Sequence, residues 1–250
     1  MPSSARFWPE PFVAGVSLTY DGSRPEHLDF AIPALDSEEL KGTFFAYPPE
    51  FILRLAEWKA AASRGHEIGN GFMMGAVDKG GAVPAWSAEA YDAELAESEE
   101  LIGPLNSLST FGYPCVRTEC SDAGMPVVSK LVRDTTLKLN VETLAPIVGH
   151  YDAVRTSEDG FNDTSKVSLN TVKCYIADGM DPDSLALLTH IGISQGAWTV
   201  LVFSAMRDTK FDAGSHQTFL AWLAQRKELV QIAPFGKIAM LTRERANVKV

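Results

Sequence analysis

The chain has 250 residues, of which 46% are hydrophobic and 22% charged, a composition typical of a globular protein and not of a disordered or fibrous one. Its formal net charge of −10 disfavours binding to nucleic acid or to anionic membranes, because like charges repel. No stretch approaches the ~18 consecutive apolar residues of a membrane helix, and residues 1–11 lack the pattern of a signal peptide. We therefore expect a cytoplasmic protein without a membrane partner.

Short apolar runs alternate with amphipathic segments along the chain. The apolar runs predict strands at residues 12–19, 42–46, 66–70, 110–113, 147–155, 167–176, 197–203 and 231–240. The amphipathic segments predict helices at residues 26–40, 51–63, 87–107, 126–134, 181–195 and 215–229. This alternation predicts a parallel β/α barrel of the α/β class, formed by one domain of residues 1–250 with its core at about 12–240. The polar tail from Thr242 is expected to be peripheral.

Polar side chains follow several of the predicted strands, and in β/α barrels the chemistry lies at the carboxyl ends of the strands. Asp21 follows the first predicted strand and precedes Gly22. It is expected either to point into the barrel mouth, as a general base or cation ligand, or to hydrogen-bond within its own turn. Tyr20 and Asn70 occupy similar positions at strand ends.

Arg155 ends the fifth predicted strand and can bind an anion there. The alternative is an ion pair with a nearby carboxylate, namely Asp152, Asp159 or Asp163. Tyr113, before Pro114, is expected either to contact a ligand or to pack in the core.

Other local motifs for catalysis are weak. No two of the five histidines are spaced as a helical zinc motif requires. The string Gly192–Gly196 (GISQG) ends a predicted helix and leads into a strand, which is the reverse of a nucleophile elbow. We interpret it as a helix stop.

Several segments, in order, carry a more specific pattern. They are SLTYDGSRPEHLDFAIPALDSEELKGTFFA (17–46), GHEIGN (65–70), FGYPC (111–115), YDAVRTSEDGFN (151–162), GAWTVLVF (196–203) and residues 219–235. Together they resemble the polysaccharide deacetylase family (NodB-homology domain, carbohydrate esterase family 4) over roughly residues 12–240. The resemblance implies a distorted parallel β/α barrel of seven or eight strands. It also implies descent from enzymes that hydrolyse acetamido groups with one divalent metal, usually zinc.

The resemblance places glycine at each metal-ligand position. Asp21 matches the family's catalytic base, while the aspartate ligand that follows it is Gly22 here. The two histidine ligands of the second motif are Gly71 and Gly75, and the histidine that acts as catalytic acid is Ser204. Catalytic zinc needs three protein ligands, which glycine cannot supply. We therefore expect no metal, no other cofactor and no ordinary zinc deacetylase activity.

Three hypotheses remain open. The first is a metal-independent isomerase, lyase or hydrolase that uses Asp21 as general base on a small sugar-like or cyclic metabolite, with Arg155 favouring an acidic one. The residues expected to bind this ligand are Tyr20, Asn70, Gly71, Phe72, Tyr113, Arg155 and Ser204. The second is an inactive pseudo-deacetylase used for binding or regulation. The third is a residual amide hydrolase whose unorthodox metal site recruits His27 or His150.

The assembly state is also open. Phe7 and Trp8 make the amino-terminal arm apolar, and this arm packs either on its own chain or on a second copy in a homo-oligomer.

Overall fold

The computed structural model describes residues 7–71, 88–105, 109–112, 151–203 and 213–247. The strands of its sheet are Ala14–Asp21 (β1), Thr43–Ala46 (β2), Glu67–Asn70 (β3), Thr110–Gly112 (β4), Ala153–Asp159 (β5), Val172–Ile176 (β6), Trp198–Phe203 (β7) and Val230–Ile232 (β8). The helices are Ile32–Ser37 (α1), Pro48–Leu53 (α2), Leu55–Ser63 (α3), Ala88–Ile102 (α4), Pro182–Ser194 (α5), Ala213–Ala224 (α6) and Phe235–Asn247 (α7). A π-helical turn, His27–Ala31, precedes α1, and a 3₁₀ turn, Gly103–Leu105, follows α4.

The sheet closes into a parallel barrel through β1. One edge of β1 pairs with β7, and β2 to β7 follow one another around the ring. The other edge of β1 is shared, because residues 14–16 pair with β8 and residues 19–21 pair with β2. Seven strands, β1 to β7, therefore form the closed ring, and β8 pairs with the beginning of β1. This arrangement confirms the predicted distorted parallel β/α barrel.

Both faces of β1, β2, β3, β4 and β7 are buried, which explains the continuous apolar runs in the sequence. On β1, Leu18 and Tyr20 belong to the layer between the barrel and its helices. Ser17 and Thr19 alternate with them and point into the barrel, where Phe45 and Val200 supply much of the apolar filling. Consecutive residues at a strand end therefore belong to different layers.

A buried carboxylate joins α7 to the amino-terminal end of the barrel. Glu67 accepts hydrogen bonds from Thr43 Oγ1 at 3.0 Å, from Thr110 Oγ1 at 2.5 Å and from the Gly236 amide at 2.8 Å. The amide of Phe235 donates to Thr43 Oγ1 at 2.7 Å. Burial raises the pKa of Glu67, and the three donors act in the opposite direction. Since the first residues of β2, β3 and β4 meet the beginning of α7 here, the helix closes this end of the barrel.

Two sequence-based strand assignments were wrong. The strand predicted at residues 147–155 begins only at Ala153 and runs to Asp159, so Arg155 lies inside the strand and not at its end. The strand predicted at residues 231–240 stops at Ile232, and α7 follows it. Of the tail from Thr242, residues 242–247 continue α7, with Thr242 buried and Arg243 and Glu244 exposed. The apolar residues of this region recur with the helical spacing of three and four, which a short apolar run conceals.

Two further predictions concern single elements. The helix predicted at residues 51–63 is interrupted at Arg54, which separates α2 from α3. The helix predicted at residues 126–134 lies outside the described residues. Gly196 follows α5 with a φ of +65°, which confirms the helix stop predicted for Gly192–Gly196.

The described part of the amino-terminal arm packs on its own chain. Trp8 is buried over Gly15, and its indole nitrogen donates to the carbonyl of Gly196 at 2.8 Å. Phe7 lies edge-on to Trp8 with ring centroids 5.1 Å apart. Of the helices described, none is both long and apolar enough to cross a membrane.

Candidate functional site

The floor of the barrel mouth is an aromatic ring. Phe45 extends inward from β2, and a Cβ atom placed on Gly69 or Gly112 would lie 2.6 Å or 2.5 Å from its ring. Glycine at these two positions therefore leaves the room that the ring occupies. The guanidinium carbon of Arg155 lies 4.8 Å from the centroid of the Phe45 ring.

Arg155 and Asp21 form a buried ion pair at this level. Arg155 Nη2 donates to Asp21 Oδ1 at 2.8 Å and to Oδ2 at 3.0 Å. The two side chains are 0% and 6% exposed. Asp21 pairs with Phe45 at the end of β1, and Arg155 reaches it from β5, where it pairs with Gly112. The predicted partners of Arg155 were wrong, since the carboxylate that it binds comes from the first strand.

The glycines at two metal-ligand positions are held by the end of β2. The amide of Gly22 donates to Phe45 O at 3.1 Å, and the amide of Gly71 donates to Ala46 O at 3.0 Å. Gly22 has a φ of +96°, a conformation that L side chains rarely adopt. A Cβ atom on Gly71 would lie 2.8 Å from backbone atoms of Phe45 and Ala46. A ligand side chain would therefore be strained by the backbone at position 22 and crowded at position 71.

The described residues around Gly22 and Gly71 do not fit a zinc ion. Asp21 is adjacent to Gly22 in sequence, and it already pairs with a guanidinium, whose positive charge repels a divalent cation. Across the described ranges, no three histidine, cysteine, aspartate or glutamate residues are grouped so that they could hold a metal ion. The structure therefore disagrees with the metal centre that the family resemblance would otherwise imply.

Tyr20 lies on the opposite face of β1 from Asp21. Its ring is stacked between Phe44 and Phe203, with centroids 4.7 and 5.2 Å away, and its hydroxyl shares a 2.8 Å hydrogen bond with His216 Nε2. Burial raises the pKa of Tyr20. The structure does not bring Tyr20 together with Asp21, because side chains alternate along a strand.

His27 also belongs to this outer layer. It lies edge-on to Tyr20 with ring centroids 5.6 Å apart, and it is completely buried. Burial lowers the pKa of His27 and of His216 to about 3. His27 therefore does not share a site with Asp21.

Asn70 forms a separate polar cluster on the outer face of β3. Its amide donates to Tyr151 Oη at 2.8 Å and to Glu99 Oε1 at 3.2 Å. Burial raises the pKa of both Glu99 and Tyr151. Sequence reasoning missed these two partners. A signal for Glu99 was present, because it follows the buried Leu95 by four residues and so lies on the same face of α4.

The remaining predicted site residues are not described. Phe72, Gly75, Tyr113, His150 and Ser204 lie outside the described residues.

Comparisons with known proteins bear on the fold. No family model matches the chain, and no curated protein matches its sequence. Its structure is similar to that of a protein from Mycobacterium smegmatis assigned as a polysaccharide deacetylase, with a TM-score of 0.59 and 14% identity over 95% of this chain and 93% of the other. A polysaccharide deacetylase from Bacillus cereus matches with a TM-score of 0.50 and 14% identity over 89% and 92% of the two chains.

A CE4 family pseudoenzyme from Bacillus anthracis also matches, with a TM-score of 0.50 and 16% identity over 90% of this chain and 65% of that one. The chain thus has the fold of the CE4 polysaccharide deacetylases, which confirms at the level of the fold the resemblance predicted from its sequence.

Proposed function

We propose that this chain is a deacetylase-like binding protein that takes a small carbohydrate-like ligand at the barrel mouth and does not hydrolyse acetamido groups with zinc. The observation that carries the proposal is the buried ion pair between Asp21 and Arg155. Asp21 stands at the carboxyl end of β1, which is the end of the barrel where β/α folds bind their ligands.

The ion pair weakens Asp21 as a base. A general base needs an oxygen that is free to receive the substrate proton, and hydrogen bonds to a carboxylate favour its charged form. Both oxygens of Asp21 already face one guanidinium nitrogen. Asp21 is therefore better suited to accept a hydrogen bond from a ligand hydroxyl than to remove a proton.

The ligand that we propose is neutral. The acidic ligand expected from the sequence relied on the charge of Arg155, and that charge is balanced by Asp21. An anion would have to approach a carboxylate as closely as a guanidinium. Sugar hydroxyls can donate to a carboxylate without adding charge to the mouth.

A second candidate function is metal-independent proton abstraction by Asp21. It is favoured by the two contacts from Arg155, because they hold the carboxylate in one orientation, as a positioned base requires. The two candidates differ in whether the ligand is converted.

The test combines binding and turnover. Saturation-transfer NMR in the presence of EDTA would measure binding of N-acetylglucosamine oligomers and, as an acidic counterpart, glucuronate. We expect the neutral sugars to bind, Asp21→Asn to weaken binding about tenfold, and Asp163→Asn, which changes an exposed carboxylate, to leave it unchanged. Acetate release is expected neither with zinc nor with EDTA.

Two outcomes would contradict the proposal. Chelator-sensitive acetate release with one zinc per chain would identify a working deacetylase. Conversion of a sugar in EDTA that disappears in Asp21→Asn would establish the second candidate.

A further inference from the structure

We infer that the loss of the zinc centre is built into the backbone of this chain, so that restoring the ligand side chains does not restore metal binding. The inference concerns the end of β2 and the segments on either side of it, and it holds whether or not the mouth binds a carbohydrate.

The first obstacle is the conformation of Gly22. A Cβ atom at this position would have open space, because its nearest neighbour is a side-chain atom of Arg24 at 3.9 Å. The φ of +96° nevertheless disfavours any L residue, and Ser23 continues the turn with a φ of +50°. An aspartate at position 22 is therefore strained by its backbone and not by its neighbours.

The second obstacle is the crowding at Gly71. Its Cβ atom would lie 2.8 Å from the carbonyl oxygens of Phe45 and Ala46 and from the carbonyl carbon of Phe45. These are backbone atoms of β2, so no change of side-chain rotamer relieves the contact. A histidine at position 71 would require β2 and β3 to separate, which opposes the hydrogen bond from the Gly71 amide to Ala46.

Both obstacles lie next to the end of β2. The amides of Gly22 and Gly71 both donate to consecutive carbonyls at the end of β2. Phe45, which supplies the first of these carbonyls, also fills the interior of the barrel with its side chain. The placement of β2 that accommodates the Phe45 ring therefore also keeps Gly22 and Gly71 close to the β2 backbone.

The test separates backbone from side-chain effects. Gly71→Ala adds only the Cβ atom, and we expect it to lower Tm by roughly 5–10 °C. The matched control is Gly103→Ala, where the added atom would meet nothing closer than a Glu99 oxygen at 3.8 Å, and we expect a Tm within about 2 °C of the parent protein. A Gly71→Ala protein that melts with the parent would overturn the inference.

Zinc binding supplies the second measurement. The triple variant Gly22→Asp, Gly71→His, Gly75→His would be dialysed against zinc and its metal content measured by mass spectrometry, with circular dichroism as the check of folding. We expect no more zinc than in the parent protein. One equivalent of EDTA-removable zinc in a folded triple variant would overturn the inference. If the triple variant does not fold, the comparison of Gly71→Ala with Gly103→Ala decides.

Adding Arg155→Met to the triple variant tests electrostatic exclusion as the alternative explanation. We expect this protein also to lack zinc, because the backbone obstacles remain. Stoichiometric zinc that appears only after Arg155 is replaced would show that the guanidinium, and not the backbone, excludes the metal.

Discussion

The ion pair between Asp21 and Arg155 permits a quantitative test by a double-mutant cycle. Replacing Arg155 by Met keeps most of the side-chain volume but removes the guanidinium that neutralises the buried Asp21 carboxylate. Removing one member of a buried pair costs about 3–5 kcal/mol, and both side chains here are almost inaccessible to solvent. For a chain of this length the loss corresponds to a Tm lower by roughly 6–20 °C.

The Asp21→Asn variant and the double variant complete the cycle and isolate the interaction energy between Asp21 and Arg155. We expect Asp21→Asn to cost less, about 1–3 kcal/mol, because the amide oxygen still accepts a hydrogen bond from Arg155. The double variant removes both charges and is expected to lie within about 2 kcal/mol of the parent protein. The coupling energy is therefore expected to be about 2 kcal/mol or more.

Urea unfolding at pH 7, followed by circular dichroism, measures the free energy of unfolding of each of the four proteins. The exposed pair between Arg54 and Glu57 provides a control, and we expect Glu57→Gln to change the free energy of unfolding by less than about 0.5 kcal/mol. Additive effects of the two single substitutions at Asp21 and Arg155 would refute the reasoning, since they would mean that the two groups do not interact in the folded protein.

Three further expectations concern stability. Between pH 8 and pH 5 the free energy of unfolding is expected to fall by about 2 kcal/mol for each of His27 and His216, because the folded pKa is about 3 and the unfolded chain takes up protons near pH 6.5. In pH-dependent urea titrations His27→Leu removes one such increment, and an unchanged pH slope would contradict the assignment. Glu67→Gln is expected to change the free energy of unfolding by less than about 1 kcal/mol. Glu67→Ala leaves three buried donors without an acceptor and is expected to cost about 2–4 kcal/mol. Equal urea midpoints for the two variants would exclude Glu67 as the acceptor that stabilises this end of the barrel. Trp8→Ala is expected to cost about 3–5 kcal/mol in thermal unfolding at any protein concentration, and a loss that depends on concentration would show that the arm packs on a second copy.

Several parts of the site could be predicted from local sequence. The period of the apolar residues predicted a parallel β/α barrel, because strands buried on both faces require continuous apolar runs. The position of Asp21 at the end of β1 followed from the same pattern, and the structure places its carboxylate inside the barrel. The glycines at the ligand positions were visible directly in the sequence, by comparison with the family motifs.

Other features depend on contacts between distant segments. Tyr20 and Asp21 are adjacent in sequence, but the alternation of the strand sends them to opposite faces of the barrel wall. Arg155 pairs with a carboxylate 134 residues away because β1 and β5 belong to the same closed ring. No local pattern in the sequence predicts this pairing between two distant segments.

The amino-acid sequence by itself thus determined the type of fold, the end of the barrel where Asp21 lies and the glycines at positions 22 and 71. Each of these depends on residue type and short-range periodicity. Only the tertiary structure decided that Arg155 neutralises Asp21 and that the backbone of β2 leaves no room for a side chain at Gly71. Both depend on how closely particular strands approach once the barrel closes, and that spacing is set by the packing of the whole interior around Phe45.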